Sequence, residues 1–247
     1  ENTISVSDGL SSNRLSVGAD VSSQYVSGAL LALAVIGGGE VDIISDISSA
    51  PYIEMTVDCM QKCGVSVTQT GNVFSVHGKP QLCGVHHCEG DWSGASFWLC
   101  AAAIGKEPVS VAGLNLSSHQ GDRAIIEILR QLGAELTICD DEVTVTPGEC
   151  KPIEIDADNI PDLVPAVSIL CANADGDSRI SNVHRLRSKE SDRVNSVIEM
   201  LGSLGGKAEC INGDIIIPGT GLSGGAVRTY SDHRIAMTAA IAANSAI

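Results

Sequence analysis

The segment HRLRSKESDR, residues 184–193, brings basic and acidic side chains together in an otherwise acidic chain. Guanidinium groups bind carboxylates and phosphates through paired hydrogen bonds, and a carboxylate beside them can move a proton. The segment therefore has the residue types of an anion site with acid–base chemistry. A solvated, salt-bridged helix start is the alternative interpretation. Its charged members are Arg185, Arg187, Lys189 and Arg193, four of the 15 Lys and Arg residues, with Glu190 and Asp192.

The local structure of this segment decides which side chains share a ligand. We expect a helix to begin near Ser188, so that Lys189 and Arg193 lie one turn apart on the same face. Glu190, about 100° around the helix from Lys189, would then reach the same ligand from the first turn. The sequence predicts that these three side chains act together.

Four apolar helices rich in small residues begin with polar residues that suit N-caps. A helix N-terminus presents unpaired N–H groups and about half a positive charge, so several such ends on one face would bind anions. Taken singly, the serines fit plain capping equally well. The polar helix starts are Ser22–Ser23, Asp91, Asp162 and Asp232–His233–Arg234.

Composition limits the class of protein. The chain has 247 residues, a formal net charge of −15, 44% hydrophobic residues and only 3% aromatic residues. The length allows one or two domains, and the acidic charge with few aromatics argues against a nucleic-acid partner. The apolar stretches are too short to span a membrane. Nine cysteines, an odd number scattered through apolar segments, fit buried free thiols in a reducing cytoplasm.

A repeat of about 70 residues organises the chain. Three segments share a helix, a glycine, a strand, a polar turn and a second strand, with the glycines at positions 64, 133 and 205. Glycine suits a left-handed helix C-cap, and the turns TGN, DD and NGD suit hairpins. An apolar helix and a short strand precede each hairpin helix. The expected unit is therefore helix, strand, helix, strand, strand, with the first strands at 41–45, 109–113 and 178–182.

One such unit cannot bury its apolar helix alone. Several units must pack around an axis with those helices at the centre, which predicts an α/β (α+β) fold of repeated units. The Gly- and His-rich segment 76–91 is the expected domain boundary. We therefore expect one unit within residues 1–88, and two units plus the first helix of a third within residues 89–247.

Five motifs connect the chain to a known family: SSQY, SSAPYIE, NIPDLVP, RLRSKESDR and TYSDHRIAM. In this order and spacing they resemble the 5-enolpyruvylshikimate-3-phosphate synthases, or 3-phosphoshikimate 1-carboxyvinyltransferases, over essentially the whole chain. The resemblance implies two domains built from βαβαββ units, each an inside-out α/β barrel. It also implies transfer of the enolpyruvyl group from phosphoenolpyruvate to the 5-hydroxyl of shikimate 3-phosphate. That transferase reaction belongs to the shikimate pathway, which leads through chorismate to aromatic amino acids, and is the target of glyphosate.

The resemblance also implies a role for particular residues. Asp162 and Glu190 would form the acid–base pair, and neither a cofactor nor a metal is needed. Phosphoenolpyruvate would be held by Gln24, Arg193 and Arg234. Shikimate 3-phosphate would be held by Ser22, Ser23, Ser49, Tyr52, Asp162, Arg185 and Lys189.

The ends of the chain suggest an interior part of that enzyme. Residue 1 is Glu, and the last residues stop within a helical pattern. We expect residues 1–88 to form the last unit of the upper domain and residues 89–247 to belong to the lower domain. The chain alone would be inactive. The whole enzyme would be a cytoplasmic monomer whose partners are its two small substrates, with no nucleic acid and no membrane.

Three alternatives stay open. UDP-N-acetylglucosamine enolpyruvyltransferase moves the same group on a similar fold, although that family carries different residues at KESDR and DHR. A non-catalytic anion-binding scaffold would keep the fold without turnover. A zinc module has weak support because the spacing matches no standard site. Its ligands would come from Cys59, Cys63, Cys83, His86, His87 and Cys88.

Overall fold

The computed structural model of the protein describes residues 9–10, 12–20, 22–82 and 84–245. The chain divides into two compact units, Glu1–His86 and His87–Ile247. The boundary expected from the sequence, between residues 88 and 89, lies in the same polar segment. Each unit has a hydrophobic core of its own.

The first unit is a four-stranded sheet with two helices. Its elements are β1 (Arg14–Val17), α1 (Ser23–Ile36), β2 (Gly38–Ile43), α2 (Ala50–Lys62), β3 (Ser66–Thr70) and β4 (Val73–His77). The strand order is β1-β2-β4-β3; β1 and β2 are parallel, and β4 is antiparallel to both of its neighbours. Strands β1, β2 and β3 thus run in one direction, and each helix connects two of them. Both helices therefore begin at the sheet edge where β1 and β2 end.

The second unit holds two sheets and five α-helices among the described residues. The elements are α3 (Trp92–Ala103), β5 (Val109–Val111), α4 (Ile125–Leu132), β6 (Glu135–Cys139), β7 (Glu142–Thr146), β8 (Glu154–Asp156), α5 (Val164–Ala172), β9 (Asp177–Ser181), α6 (Arg193–Ser203), β10 (Glu209–Ile211), β11 (Asp214–Pro218) and α7 (His233–Ala242). Two short 3-10 helices, Gly121–Ala124 and Val183–Ser188, precede α4 and α6.

The sheets repeat one topology. The order β8-β9-β11-β10 reproduces β1-β2-β4-β3, with a parallel pair followed by an antiparallel hairpin, and β5-β7-β6 reproduces the last three positions. The sequence pattern predicted the helix and hairpin of each unit but not the leading strands β1 and β8. These strands have only four and three residues, too few for an alternating pattern to stand out.

Three apolar helices form the centre of the second unit, as the sequence predicted, but the burial predicted for α1 of the first unit is wrong, because one apolar face of α1, which includes Val35, is exposed. Every residue of α5 is buried, and α3 and α7 both pack against it and against each other. A helix with no polar stripe is stable only when other elements cover it on all sides. In contrast α4 buries one face, with Ile125, Ile128, Leu129 and Leu132, and exposes the other.

Glycines end the hairpin helices in the predicted way. Gly64, Gly133 and Gly205 have φ of 79°, 93° and 85°, the left-handed region that residues with a side chain rarely adopt. The strand predicted at 41–45 corresponds to β2, which begins earlier, in the preceding glycine run at Gly38, and ends at Ile43. A Cβ on Gly39 would lie 2.1 Å from the Asn13 carbonyl oxygen, so only glycine lets the two segments approach this closely.

The sequence argued against a membrane helix, gave only weak support to a zinc site and favoured buried free thiols. No helix in the described ranges is long and apolar enough to cross a membrane. Within the same ranges, no three His, Cys, Asp or Glu side chains are grouped to hold a metal ion; Cys83 of the zinc alternative lies outside them. The eight described cysteines are free thiols, but Cys59, Cys88 and Cys139 are exposed rather than buried.

Candidate active site

The charged residues predicted for the site lie on loops and helix starts at one edge of the second unit. Asp162 lies in the turn between β8 and α5, and Lys189 and Glu190 lie between β9 and α6. Strands β8 and β9 are parallel neighbours, so their carboxyl ends meet at the same sheet edge, where open α/β sheets bind ligands. Arg234 reaches this edge from the first turn of α7.

Arg193 is the centre of the cluster. Its side chain is 0% exposed, and each guanidinium nitrogen bonds a carboxylate. Nε donates to Asp232 over 2.8 Å, one terminal nitrogen donates to Asp162 over 2.5 Å, and the other donates to Glu190. Burial alone would lower the pKa of Arg193, but Asp232 and Asp162 hold it above its ordinary value. One buried cation thus ties together carboxylates from three loops.

Asp162 contacts three cations. One carboxylate oxygen accepts from Arg193 and lies 3.5 Å from Lys189 Nζ, and the other lies 3.4 Å from a terminal nitrogen of Arg234. Burial would raise the pKa of Asp162, but Arg234, Lys189 and Arg193 together hold it below its ordinary value. Asp162 is therefore ionised at neutral pH, and removing its cations would make it a stronger base.

Asp232 connects α7 to this cluster. It caps α7 by accepting the backbone N–H of Arg234 over 2.9 Å, and it also accepts from the Ser191 hydroxyl and from Arg193. Burial would raise the pKa of Asp232, and the hydrogen bond from Arg193 is the strongest effect that holds it below its ordinary value. The sequence marked Asp232 as an N-cap within the DHR motif and missed its role as a partner of Arg193.

The helix predicted to begin near Ser188 is wrong. Residues 183–188 form a 3-10 helix, Lys189 is extended with ψ of −166°, and α6 begins only at Arg193. Asp192 stops the helix from starting earlier because its side chain caps α6 by accepting the N–H of Asn195. Lys189 and Arg193 therefore meet through Asp162 and not through a shared helix face. Likewise α5 begins at Val164, which leaves Asp162 in a turn.

Strained backbone precedes the site elements. Ser49, Asn182, Tyr230 and Ser231 have φ between 54° and 58°, the left-handed region that costs about 1–2 kcal/mol for residues with a side chain. They lie directly before α2, the 3-10 helix Val183–Ser188, and α7. The hydrogen bond from the Tyr230 hydroxyl to Glu199 helps to hold the last of these turns. Such strain is concentrated where side chains must be aimed.

The arrangement of repeats and charges can be compared with known proteins. A family model described as EPSP synthase (3-phosphoshikimate 1-carboxyvinyltransferase) matches residues 1–246. The chain belongs to the EPSP synthase family. EPSP is 5-enolpyruvylshikimate 3-phosphate, so the family is the one that the motifs resembled.

Individual relatives of the EPSP synthase family agree. The chain is 38% identical to 3-phosphoshikimate 1-carboxyvinyltransferase of Methanopyrus kandleri, covering 92% of this chain and 53% of that protein. It is 36% identical to the Brachyspira hyodysenteriae protein of the same name, covering 98% and 59%. The solved EPSP synthase of Acinetobacter baumannii matches with a TM-score of 0.77 and 25% identity, over 94% of this chain and 56% of that one. The chain thus spans little more than half the length of these relatives.

The solved structures also support the α/β fold. Another solved structure, the enolpyruvyl transferase NikO of Streptomyces tendae, aligns with a TM-score of 0.69 over 94% of this chain. At 19% identity that likeness shows the fold alone. The fold class predicted from the repeat is therefore confirmed as that of the enolpyruvyl transferases.

The residues predicted to hold shikimate 3-phosphate in the first unit lie at two helix starts. Ser22 caps α1 by accepting the N–H of Gln24 over 3.2 Å, and Ser23 is buried behind it. Ser49 precedes α2 and Tyr52 lies in its first turn. Because both helices begin at the same sheet edge, these four residues and Gln24 place uncharged polar side chains along one edge of the first unit.

The second unit gathers the remaining predicted residues. The connected cluster described above contains Asp162, Lys189, Glu190, Arg193 and Arg234. Arg185 lies in the 3-10 helix just before Lys189 and donates to the Asp158 carbonyl over 3.1 Å. The sequence missed Asp232, Ser191 and Asp122 as neighbours of the cluster. Ser191 and Asp232 lie within the motifs RLRSKESDR and TYSDHRIAM, whereas Asp122 had no sequence signal. The burial of Asp122 depends on packing between elements distant in the chain.

Proposed function

We propose that the chain supplies the acid–base residues of an enzyme that transfers the enolpyruvyl group of phosphoenolpyruvate to the 5-hydroxyl of shikimate 3-phosphate. The observation that carries the proposal is that Asp162 contacts Lys189, Arg193 and Arg234 at once. The chain matches only part of its relatives, so the activity is proposed for the intact enzyme. Cations around a carboxylate suit two substrates that each carry a phosphate and a carboxylate.

In the first step, the 5-hydroxyl oxygen adds to C2 of phosphoenolpyruvate while C3 gains a proton. Asp162 takes the hydroxyl proton, and Glu190 gives the proton to C3. This step requires Asp162 as a carboxylate and Glu190 as a carboxylic acid. Asp162 meets its condition, since its neighbouring cations keep its pKa low. A substrate phosphate or carboxylate that draws Arg234 and Lys189 away would strengthen Asp162 as a base.

In the second step, the tetrahedral adduct loses phosphate by cleavage of its C–O bond. Glu190, now a carboxylate, takes a proton back from the methyl carbon, and the departing phosphate receives the proton held by Asp162. Both carboxyls return to their starting states. The hydroxyl proton of shikimate 3-phosphate leaves with inorganic phosphate, so protons balance over the cycle.

Arg193 must change partners for this cycle to begin. Its guanidinium donates a hydrogen bond to the Glu190 carboxyl, whereas the first step needs that carboxyl to face C3 of phosphoenolpyruvate with a proton to give. A phosphoenolpyruvate carboxylate or phosphate bound by Arg193 would replace Glu190 and release it to take a proton. Glu190 is suited to that exchange because its side chain is 50% exposed. Arg234 and Gln24 complete the proposed contacts to phosphoenolpyruvate.

The two units would contribute different kinds of group to the binding of shikimate 3-phosphate. Ser22, Ser23, Ser49 and Tyr52 supply neutral hydrogen-bonding groups at helix starts, and Arg185 and Lys189 supply positive charge. The free thiols of the described cysteines fit a reducing compartment. A cytoplasmic monomer with these two substrates as its small-molecule partners is part of the proposal.

The proposal is tested with Glu190→Gln in the intact enzyme. Glutamine keeps the shape but cannot give or take a proton, so turnover should fall about 10²- to 10⁴-fold while both substrates still bind. Phosphate release measures turnover and calorimetry measures binding. Glu209→Gln is the matched control, because Glu209 is an exposed carboxylate on β10 and should leave turnover unchanged.

Two outcomes would count against the proposal in different ways. Full turnover by Glu190→Gln would refute the role of Glu190. An intact enzyme that makes no product from phosphoenolpyruvate and shikimate 3-phosphate would refute the reaction itself, and product with UDP-N-acetylglucosamine instead would favour the nucleotide-sugar alternative.

A further inference from the structure

Asp122 is a buried carboxylate that the proposed reaction does not use. It lies in the 3-10 helix Gly121–Ala124 and is 2% exposed. Among the described residues, neither of its carboxylate oxygens has a hydrogen-bond partner, and the buried hydroxyl of Ser93 also lacks one. An ionised carboxylate without partners is costly to bury, so this group is stable only if it gains a proton or a partner.

The surroundings of Asp122 connect it to the active site. Burial is the main cause that raises its pKa to about 6; the neighbouring carboxylates Asp162 and Asp91 act in the same direction, while Ser93 and Arg234 oppose the shift. Asp91 caps α3, Asp162 precedes α5, and Arg234 lies on α7, so charged groups from three directions act on one carboxyl. The Ser93 hydroxyl lowers the pKa without completing a well-formed hydrogen bond.

The repeat places Asp122 where other units carry site residues. In the unit that follows, the loop between the second strand β9 and the second helix α6 carries Lys189 and Glu190. The corresponding loop between β5 and α4 carries Asp122. In the first unit the loop between β2 and α2 carries Ser49. The position of Asp122 in the repeat therefore agrees with the effect of Asp162 and Arg234 on its carboxyl.

We propose that Asp122 is a positioning residue that takes up a proton from solvent when an anion binds at Arg234 and Lys189. The bound anion would neutralise Arg234, the cation that opposes protonation of Asp122, while Asp91 and Asp162 stay negative. The ionised form then becomes costlier and the neutral form is favoured. A neutral Asp122 also has an O–H to donate, and the Ser93 oxygen beside it is an available acceptor. Anion binding and protonation of Asp122 would thus strengthen each other.

The inference deepens the proposed function but depends only on anion binding, so it can be tested with sulfate, which stays a dianion between pH 5 and 8. The protein is labelled with ¹³C at aspartate carboxyl carbons, and the Asp122 signal is assigned through its own backbone. The titration midpoint of Asp122 should rise by at least about 0.7 of a pH unit at saturating sulfate, which is the shift that a fivefold change in affinity requires. Sulfate affinity should fall about fivefold or more from pH 5 to pH 8.

The variant Asp122→Asn mimics the neutral form. It should bind sulfate at pH 8 at least about fivefold more tightly than the wild type and lose most of the pH dependence. Asp177→Asn is the matched control, since Asp177 is an exposed carboxylate on β9, and it should behave as the wild type. The wild-type titration needs no variant, so the test holds even if Asp122→Asn folds poorly.

Three results would overturn the inference. They are an Asp122 midpoint that sulfate leaves unchanged, a pH dependence of sulfate affinity that survives in a folded Asp122→Asn, and sulfate that causes no spectral change at Arg234 and Lys189. Failure of turnover with the proposed substrates would instead count against the proposed function. Sulfate binding therefore tests the role of Asp122, and turnover separately tests the reaction.

Discussion

The two units share a sheet topology but carry different kinds of polar residue at the same positions. Both have a parallel strand pair joined to an antiparallel hairpin, and both carry their polar residues on loops after the parallel strands. In the first unit these loops present hydroxyls such as Ser22, Ser23 and Ser49. In the second unit they present Asp162, Glu190 and their cations.

This difference has an energetic consequence. A hydroxyl, such as that of the buried Ser23 at the start of α1, needs only one or two hydrogen bonds, whereas a buried charge needs an opposite charge. The second unit meets that need by bonding one buried arginine to three carboxylates. Substitutions among the hydroxyl residues of the first unit should therefore have additive effects on stability. Substitutions among the charged residues of the second unit should not.

The largest effect should come from breaking the charged group at its centre. Replacing Arg193 by Met keeps a long apolar side chain but leaves Asp162 and Asp232 without their shared cation. The free energy of unfolding should fall by about 3–5 kcal/mol at pH 7, as when one partner of a buried ion pair is removed. Urea denaturation measures this. Arg179→Met is the matched control, because the Arg179 side chain is 53% exposed whereas that of Arg193 is buried, and it should cost only about 1 kcal/mol.

The pH dependence of that loss identifies its cause. Arg193 holds the pKa values of Asp162 and Asp232 below the ordinary 3.8, so the stability it supplies is present above that value. It disappears as the pH falls through the lower folded-state values. The difference between wild type and Arg193→Met should therefore shrink below pH 4. A difference that stays constant down to pH 3 would mean that lost packing, not lost charge pairing, destabilises the variant.

A smaller effect of opposite sign is expected at Asp122. Its pKa rises from 3.8 to about 6 on folding, so the folded protein keeps a proton that the unfolded chain has released. Stability should fall as the pH rises from about 4 to 6 and stay lower above that range. Asp122→Asn should therefore be more stable than the wild type by roughly 2–3 kcal/mol at pH 8, and no more stable at pH 4.

Thermal unfolding at both pH values checks this expectation. Asp177→Asn, which changes an exposed carboxylate on β9, should match the wild type at both. A variant that is less stable than the wild type at pH 8 would show that the ionised Asp122 has a favourable partner.

Much of the fold was accessible from the sequence because it is encoded by local signals. The glycines at 64, 133 and 205 must follow helices that turn into hairpins, and an all-apolar segment such as α5 must be covered on every side. The leading strands β1 and β8 were missed because parallel pairing to a distant strand, not their own pattern, makes them strands.

The candidate site was predictable as a set of residues but not as a geometry. The motifs identified Asp162, Lys189, Glu190, Arg193 and Arg234, yet the expected shared helix face was wrong because the cap Asp192 delays α6. Long-range packing brings carboxylates from three loops to one buried arginine, and it also buries Asp122. Neither is visible in the local sequence.

The smallest effect is expected in the first unit, where it separates capping from ligand binding at Ser22. Ser22→Ala removes the side chain that accepts the N–H of Gln24 and should cost about 1 kcal/mol, with little change between pH 5 and 8. Ser22→Asp keeps an acceptor at the N-cap and should restore that stability. If the hydroxyl also holds a substrate phosphate, the added negative charge should weaken shikimate 3-phosphate binding to the intact enzyme at least about tenfold. If Ser22→Asp binds shikimate 3-phosphate as tightly as the wild type, Ser22 only caps α1 and is not one of the residues that hold this substrate.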